Sequence, residues 1–166
     1  GLFHELDRDR LDDEIALNVR ALTRLAHTAL EVMVPRRRGW LLNVSSVASF
    51  QPAPRLAVYT ATKAYITNLT ESLHGELVGT GVEVSALCPG LTRTEFQSVS
   101  RTDTYQSKFP EFLWTDVADV AAAGIDGVIA NKPIVIPGAF YKTMVAASSA
   151  APNWLTRTAS RMVQRR

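Results

Sequence analysis

Trp40-Leu-Leu-Asn-Val44 runs directly into Ser45-Ser46, and Val82-Glu-Val-Ser-Ala-Leu-Cys88 runs directly into Pro89-Gly90. Both are short, largely apolar runs bounded by turn-forming residues, the pattern of strands buried on both faces. Between them, Ala61, Tyr65, Leu69, Leu73 and Leu77 recur four apart. That recurrence predicts a helix over about Ala57 to Val78, stopped by Gly79 and Gly81. A strand, a helix and a second strand in succession predict parallel strands with a helix packed over them.

The alternation continues outward in both directions. Upstream, Ile15, Val19, Leu22, Ala26, Ala29 and Met33 line one face of a helix predicted over about Leu11 to Val34. Asp7, Asp9, Asp12 and Asp13 crowd its start, where the helix dipole favours negative charge, and Pro35 with Arg36, Arg37 and Arg38 marks its end. Downstream, Ser45 to Pro54 reads as one loop and Thr92 to Trp114 as a longer one. Thr115 is the expected N-cap of a third helix reaching about Ala130, and Pro133 to Ile136 a third strand. The tail from Ala139 is rich in alanine and serine, then basic, and is expected to be partly helical.

The whole chain of 166 residues thus reads as one α/β domain, with 1–138 as its core and 139–166 as its tail. Three strands are fewer than a doubly wound sheet normally has, so the expectation is the back half of such a fold. A chain that opens on Gly1 rather than methionine fits a piece of something larger.

Composition narrows the function classes. The chain is 46% hydrophobic and 20% charged, with a net charge of +2, too weak a bias to argue for nucleic acid. Cys88 is the only cysteine, which excludes an internal disulfide framework and makes a reducing, cytoplasmic setting the default. His4, His27 and His74 lack the short spacings of zinc sites, so no metal is expected. No apolar run approaches the roughly 18–20 residues of a membrane span.

Ligands bind outside the carboxyl ends of parallel strands. Ser45-Ser46 and Pro89-Gly90 fall there. Tyr59 and Lys63, near the start of the intervening helix, share one helical face. An ammonium beside a phenol is expected to lower its pKa, readying it for proton exchange, and Ser46 can hydrogen-bond the same substrate oxygen. Together these suit protonation of an alkoxide as a carbonyl is reduced. Taken singly, each feature has an ordinary reading: a surface pair, a loop cap, a turn. Asn18 projects into an apolar arc with Leu11, Leu22 and Leu25, where a buried amide needs partners. A structural hydrogen bond is its ordinary reading.

In order, Asn18, Asn43-Val-Ser-Ser46, Tyr59-Thr-Ala-Thr-Lys63 and Pro89-Gly-Leu-Thr-Arg-Thr94 resemble the short-chain dehydrogenase/reductase family, with spacings that also agree. The resemblance covers the chain to about Gly138. It implies a three-layer α/β/α Rossmann-like parallel sheet, here truncated to about three strands. It implies Tyr59 as general acid/base, Lys63 as the cation that tunes it and holds a nicotinamide ribose, and Ser46 as the residue that orients the carbonyl. Asn18 would hold a water in a proton relay. Pro89, Gly90, Thr92 and Thr94 would border the nicotinamide of NAD or NADP. The two long helices of the family pair between subunits, implying a dimer or tetramer of the intact protein.

The departure is at the front. The family's Thr-Gly-x-x-x-Gly-x-Gly turn and its Asn-Asn-Ala-Gly segment do not occur in residues 1–166. The turn that cradles the pyrophosphate and the residue that selects NAD over NADP are therefore missing, and this stretch alone is expected to be inactive. In the family the 92–114 region forms the substrate lid, so Phe96, Tyr105, Phe109, Phe112 and Trp114 suggest an apolar carbonyl or alcohol substrate, such as a 3-oxoacyl chain or ketosteroid; ordinary packing against the next helix accounts for them equally well. Trp154, Leu155, Met162 and Val163 among Arg157, Arg161, Arg165 and Arg166 read as a C-terminal helix, or as a segment lying on a membrane surface. Asn43-Val-Ser45 and Asn68-Leu-Thr70 match glycosylation sequons. Two other functions compete with the reductase: a non-catalytic subunit acting only by association, and a serine hydrolase built on Ser46. The hydrolase lacks Ser-x-x-Lys and Gly-x-Ser-x-Gly.

Overall fold

The computed structural model describes residues 1–94 and 109–150 of the chain. A helix α1 (Arg8–Ile15) continues through a wider π-type segment (Ala16–Ala21) into α2 (Leu22–Met33). Strand β1 (Gly39–Val44), helix α3 (Ala57–Glu76), strand β2 (Val82–Leu87), helix α4 (Val117–Ile129), strand β3 (Ile134–Val135) and helix α5 (Ala139–Ala150) follow. The strands form one parallel sheet in the order β1-β2-β3, with Asn43 opposite Ala86 and Leu87 opposite Val135.

The sheet is covered on both faces, and the two-residue period of the strands decides which side chain goes where. From β1, Leu41 faces α2 and α3, joining Val82, Val84, Leu77, Leu30 and Met33 in one core cluster. Leu42 faces the other way, joining Leu87, Val135, Val120 and Ala123 under α4. The result is the expected three-layer α/β/α arrangement. Gly124 and Gly127 let α4 sit close, because a Cβ at Gly124 would press on Leu42 and Leu87. The same alternation turns Asn43 and Ser45 toward α3, and that orientation builds the site.

Two helix faces differ from their predicted ones. On α3 the buried face carries Thr60, Thr62, Ile66, Thr67 and Thr70, while Tyr65 from the four-apart series is exposed. Steps of four overshoot a 3.6-residue turn by about 40° each, so a run of them drifts from one face to another. That series therefore starts outside at Ala61 and reaches the core only at Leu73 and Leu77. The threonines can be buried because Thr60, Thr62 and Thr70 donate to the carbonyls of Ala57, Tyr59 and Ile66. On the first helix, Ile15 and Leu25 are exposed, Leu25 by 71%, because nothing among the described residues packs over the outer side of α1 and α2. The apolar arc predicted around Asn18 is therefore half open, and Asn18 itself is half-buried.

Several boundaries shift. The first helix starts at Arg8 because the Asp7 carboxylate caps the Asp9 N–H at 3.0 Å. The third predicted helix is capped by Asp116, whose Oδ1 accepts from the Ala118 N–H at 2.7 Å, rather than by Thr115. Thr115 instead pairs across to Thr92 as an isolated parallel bridge. The aromatic positions Phe96 and Tyr105 and the tail residues Trp154 to Arg166 lie outside the described residues.

Candidate active site

The site lies at the carboxyl ends of β1 and β2. Beyond the named strands the ladder continues, with Ser45 N–H donating to Leu87 O at 2.7 Å and Val47 N–H to Pro89 O at 3.0 Å. That continued pairing holds Ser46 and Pro89-Gly90 side by side. Ser46 is nearly buried, extended in backbone, and its Oγ accepts from the Ala48 N–H at 3.1 Å, starting a short 3-10 turn (Val47–Phe50).

Helix α3 brings Tyr59 to the same place, its phenol near enough to the Ser46 hydroxyl for that group to lower its pKa. Two strand-end and helix-start hydroxyls thus meet where one substrate oxygen could touch both. Burial pushes the Tyr59 phenol above its ordinary pKa; the Ser46 hydroxyl pulls it back down and the Glu14 carboxylate pushes it up. The expectation that Lys63 would make the phenol acidic is not met in this arrangement. The Lys63 ammonium stands over the ring face, with Nζ 5.8 Å from the ring centroid, and donates to the Val44 carbonyl at 3.1 Å. Burial in turn lowers the Lys63 pKa, opposed by the charge of Glu14. A protonated phenol at neutral pH is the form that donates.

Asn18 sits in the π-type segment, and its amide donates to Thr62 Oγ1 at 3.2 Å, next in sequence to Lys63. Extra turns of this kind re-aim side chains out of the regular helical sequence of faces. Pro89 and Gly90 are half-buried, and a Cβ at Gly90 would run into the Tyr141 ring. Thr92 Oγ1 donates to Gly90 O at 3.2 Å, while Thr94 is exposed, the last described residue before 109. Phe112, on the outer side of this region, is 74% exposed and packs edge-to-face with Phe140 of α5. Asn43 is buried with its amide donated to Thr70 Oγ1 at 3.0 Å, which removes its sequon from solvent.

Two residues that position this site were missed in the sequence. Ser45, read only as half of a serine pair, donates its Oγ to the Lys63 carbonyl at 2.9 Å and shares a 2.7 Å hydrogen bond with Thr67. It ties α3 to the strand end at the residue that matters; odd numbering shared with Leu41 and Asn43 was the available signal. Tyr141, in the tail, accepts from Leu91 N–H at 3.0 Å and donates to Leu113 O at 2.7 Å. It clamps both ends of the 92–114 region, and no local signal in the sequence marks it.

A sequence profile of the short chain dehydrogenase family matches residues 1–104. The chain belongs to that family. Among curated relatives, the human protein named inactive hydroxysteroid dehydrogenase-like protein 1 is 33% identical over 98 residues, covering 59% of this chain and 30% of its own length. A bovine (Bos taurus) very-long-chain 3-oxoacyl-CoA reductase is 27% identical over 141 residues, covering 85% of this chain and 42% of the relative. The short-chain dehydrogenase from Sphingobium yanoikuyae, solved in complex with NADPH, superposes with a TM-score of 0.75 at 29% identity. That match covers 90% of this chain and 58% of that one. The chain therefore spans less than half the length of these two curated relatives.

Proposed function

We propose that this chain carries the proton-transfer half of an NAD(P)-dependent oxidoreductase that interconverts a carbonyl and a secondary alcohol. The observation that carries the reading is the approach of the Tyr59 phenol to the Ser46 hydroxyl at the strand ends, close enough for that hydroxyl to lower the phenol's pKa. The residues present fit the nicotinamide end of such a cofactor. Lys63 offers a half-buried ammonium at the end of β1, and Pro89-Gly90 and Thr92 follow the neighbouring end of β2. They do not include a cradle for the pyrophosphate, since no glycine-rich turn occurs in residues 1–166. A bound nicotinamide supplies or accepts the hydride at the substrate carbon. This chain does the rest: Ser46 holds the carbonyl oxygen, and Tyr59 gives its proton to that oxygen as the alcohol forms. Asn18 and Lys63 would hold the water that returns the proton from solvent.

An apolar substrate, of the 3-oxoacyl or ketosteroid kind, is supported by the exposed Phe112 and Phe140 beside the 92–114 region and by the name of the bovine relative. Subunit pairing through the long helices is supported by exposed Leu17 and Leu25. An open apolar hollow of about 360 Å³ between Phe3, Ile15, Val19, Val58 and Ala61 points the same way. A soluble, cytoplasmic protein fits the single cysteine, and no helix among the described residues is long and apolar enough to cross a membrane.

The second reading, a non-catalytic subunit, is favoured by the human relative's name. Turnover of a carbonyl panel by the intact protein with NADH or NADPH separates the two. Tyr59→Phe should then lower kcat by roughly 10²- to 10⁴-fold while leaving cofactor affinity nearly unchanged. Turnover that survives the substitution removes the proposed role of Tyr59.

A further inference from the structure

The hydrogen bonds Asn18–Thr62 and Thr23–Tyr65 show that the first helix and α3 run side by side in the same direction. One turn back from Asn18 is Glu14, which lies level with Val58 and Tyr59, one turn back from Thr62. Glu14 is half-buried there, whereas Asp12 and Asp13 beside it are exposed. Its carboxylate makes no ion pair within contact distance among the described residues. The charged and titratable groups it faces are Arg10 on its own helix and Lys63 and Tyr59 on α3. Cys88 faces Lys63 from the strand side.

We propose that Glu14 is a positioning residue of this site, the counter-charge that keeps the Lys63 side chain an ammonium inside a part-buried crevice. Without it, burial would shift Lys63 further toward the neutral amine, the form that donates to an anionic or ribose oxygen without full charge. The direction of both neighbouring influences agrees: Glu14 raises the Lys63 pKa, and Lys63 lowers that of Glu14. Any consequence for turnover rests on the oxidoreductase reading, but the charge state of Lys63 can be read without turnover.

The test is competitive acetylation of the intact protein, free of added cofactor, at a fixed mildly alkaline pH, with each lysine quantified by peptide mass spectrometry. Only the neutral amine reacts, and the exposed Lys132 and Lys142 serve as internal references. Glu14→Gln should raise Lys63 labelling about fivefold relative to the references, at unchanged melting temperature. Glu14→Asp, which keeps the charge, should give a rate close to that of the unsubstituted protein and keeps the test open should the glutamine variant not fold. Equal Lys63 labelling in folded Glu14→Gln and unsubstituted protein overturns the proposal, as does a Glu14→Asp variant that labels as fast as Glu14→Gln or, where the glutamine variant does not fold, about fivefold faster than the unsubstituted protein. No turnover of the carbonyl panel with either NADH or NADPH would instead remove the oxidoreductase reading while leaving this coupling standing.

Discussion

Replacing Ser45 by alanine should loosen the site without touching any atom that meets substrate. Ser45 is nearly buried, and its Oγ serves two partners: the Lys63 carbonyl at 2.9 Å and Thr67 Oγ1 at 2.7 Å. Alanine fits the space but removes both hydrogen bonds. Thr67 keeps only a long contact to Cys88 Sγ, at 3.8 Å. A buried polar group left without a partner costs about 1–3 kcal/mol, and the Lys63 carbonyl retains its place in the helix ladder, so only Thr67 is left poorly paired. The expected loss of stability is therefore about 2 kcal/mol. For a chain of this size that lowers the melting temperature by roughly 4–8 °C. The functional effect should be larger on cofactor binding than on chemistry, because the freed segment carries Lys63, whereas Tyr59 keeps its place beside Ser46. Thermal melts followed by circular dichroism and KM for NAD(P)H, measured on the intact protein, check both parts. A stability loss below about 0.5 kcal/mol with unchanged KM would show that packing alone, not this hydroxyl, fixes α3 against the strand ends.

Three other outcomes follow from the same geometry. Reduction needs a protonated phenol, and burial raises the Tyr59 pKa above that of free tyrosine. The reductive rate should thus stay flat through neutral pH and fall only in the alkaline range, which a pH–kcat profile reads; a fall beginning near neutrality would contradict it. Gly90→Ala puts a methyl group into the Tyr141 ring, which two hydrogen bonds hold in place, so a loss of about 1–3 kcal/mol is expected in denaturant melts. Tyr141→Phe should leave Leu91 N–H and Leu113 O unpaired and cost about 1–3 kcal/mol, seen as increased proteolysis within 92–114.

What was legible in the sequence, and what was not, divides by the range of the interaction. Strands β1 and β2 and the helix between them could be read because each is set by local periodicity and bounded by glycine, proline or serine. The meeting of Ser46 with Tyr59 could be expected because topology alone puts a strand end beside the start of the following helix. The balance of charge could not. Whether Lys63 acidifies Tyr59 depends on where Nζ points and on what else is charged nearby. The Val44 carbonyl and Glu14 are 19 and 49 residues away from it in sequence. The threonine-lined face of α3 was hidden for a related reason. Threonine reads as polar in a hydropathy pattern, yet a hydroxyl returned to its own helix behaves as a small apolar group with a spare acceptor. Asn43 and Ser45 use that spare capacity, on Thr70 and Thr67. The polar residues of this sheet are thus not exceptions to its core. They form a second, hydrogen-bonded layer at the strand ends that fixes how far Lys63 can move.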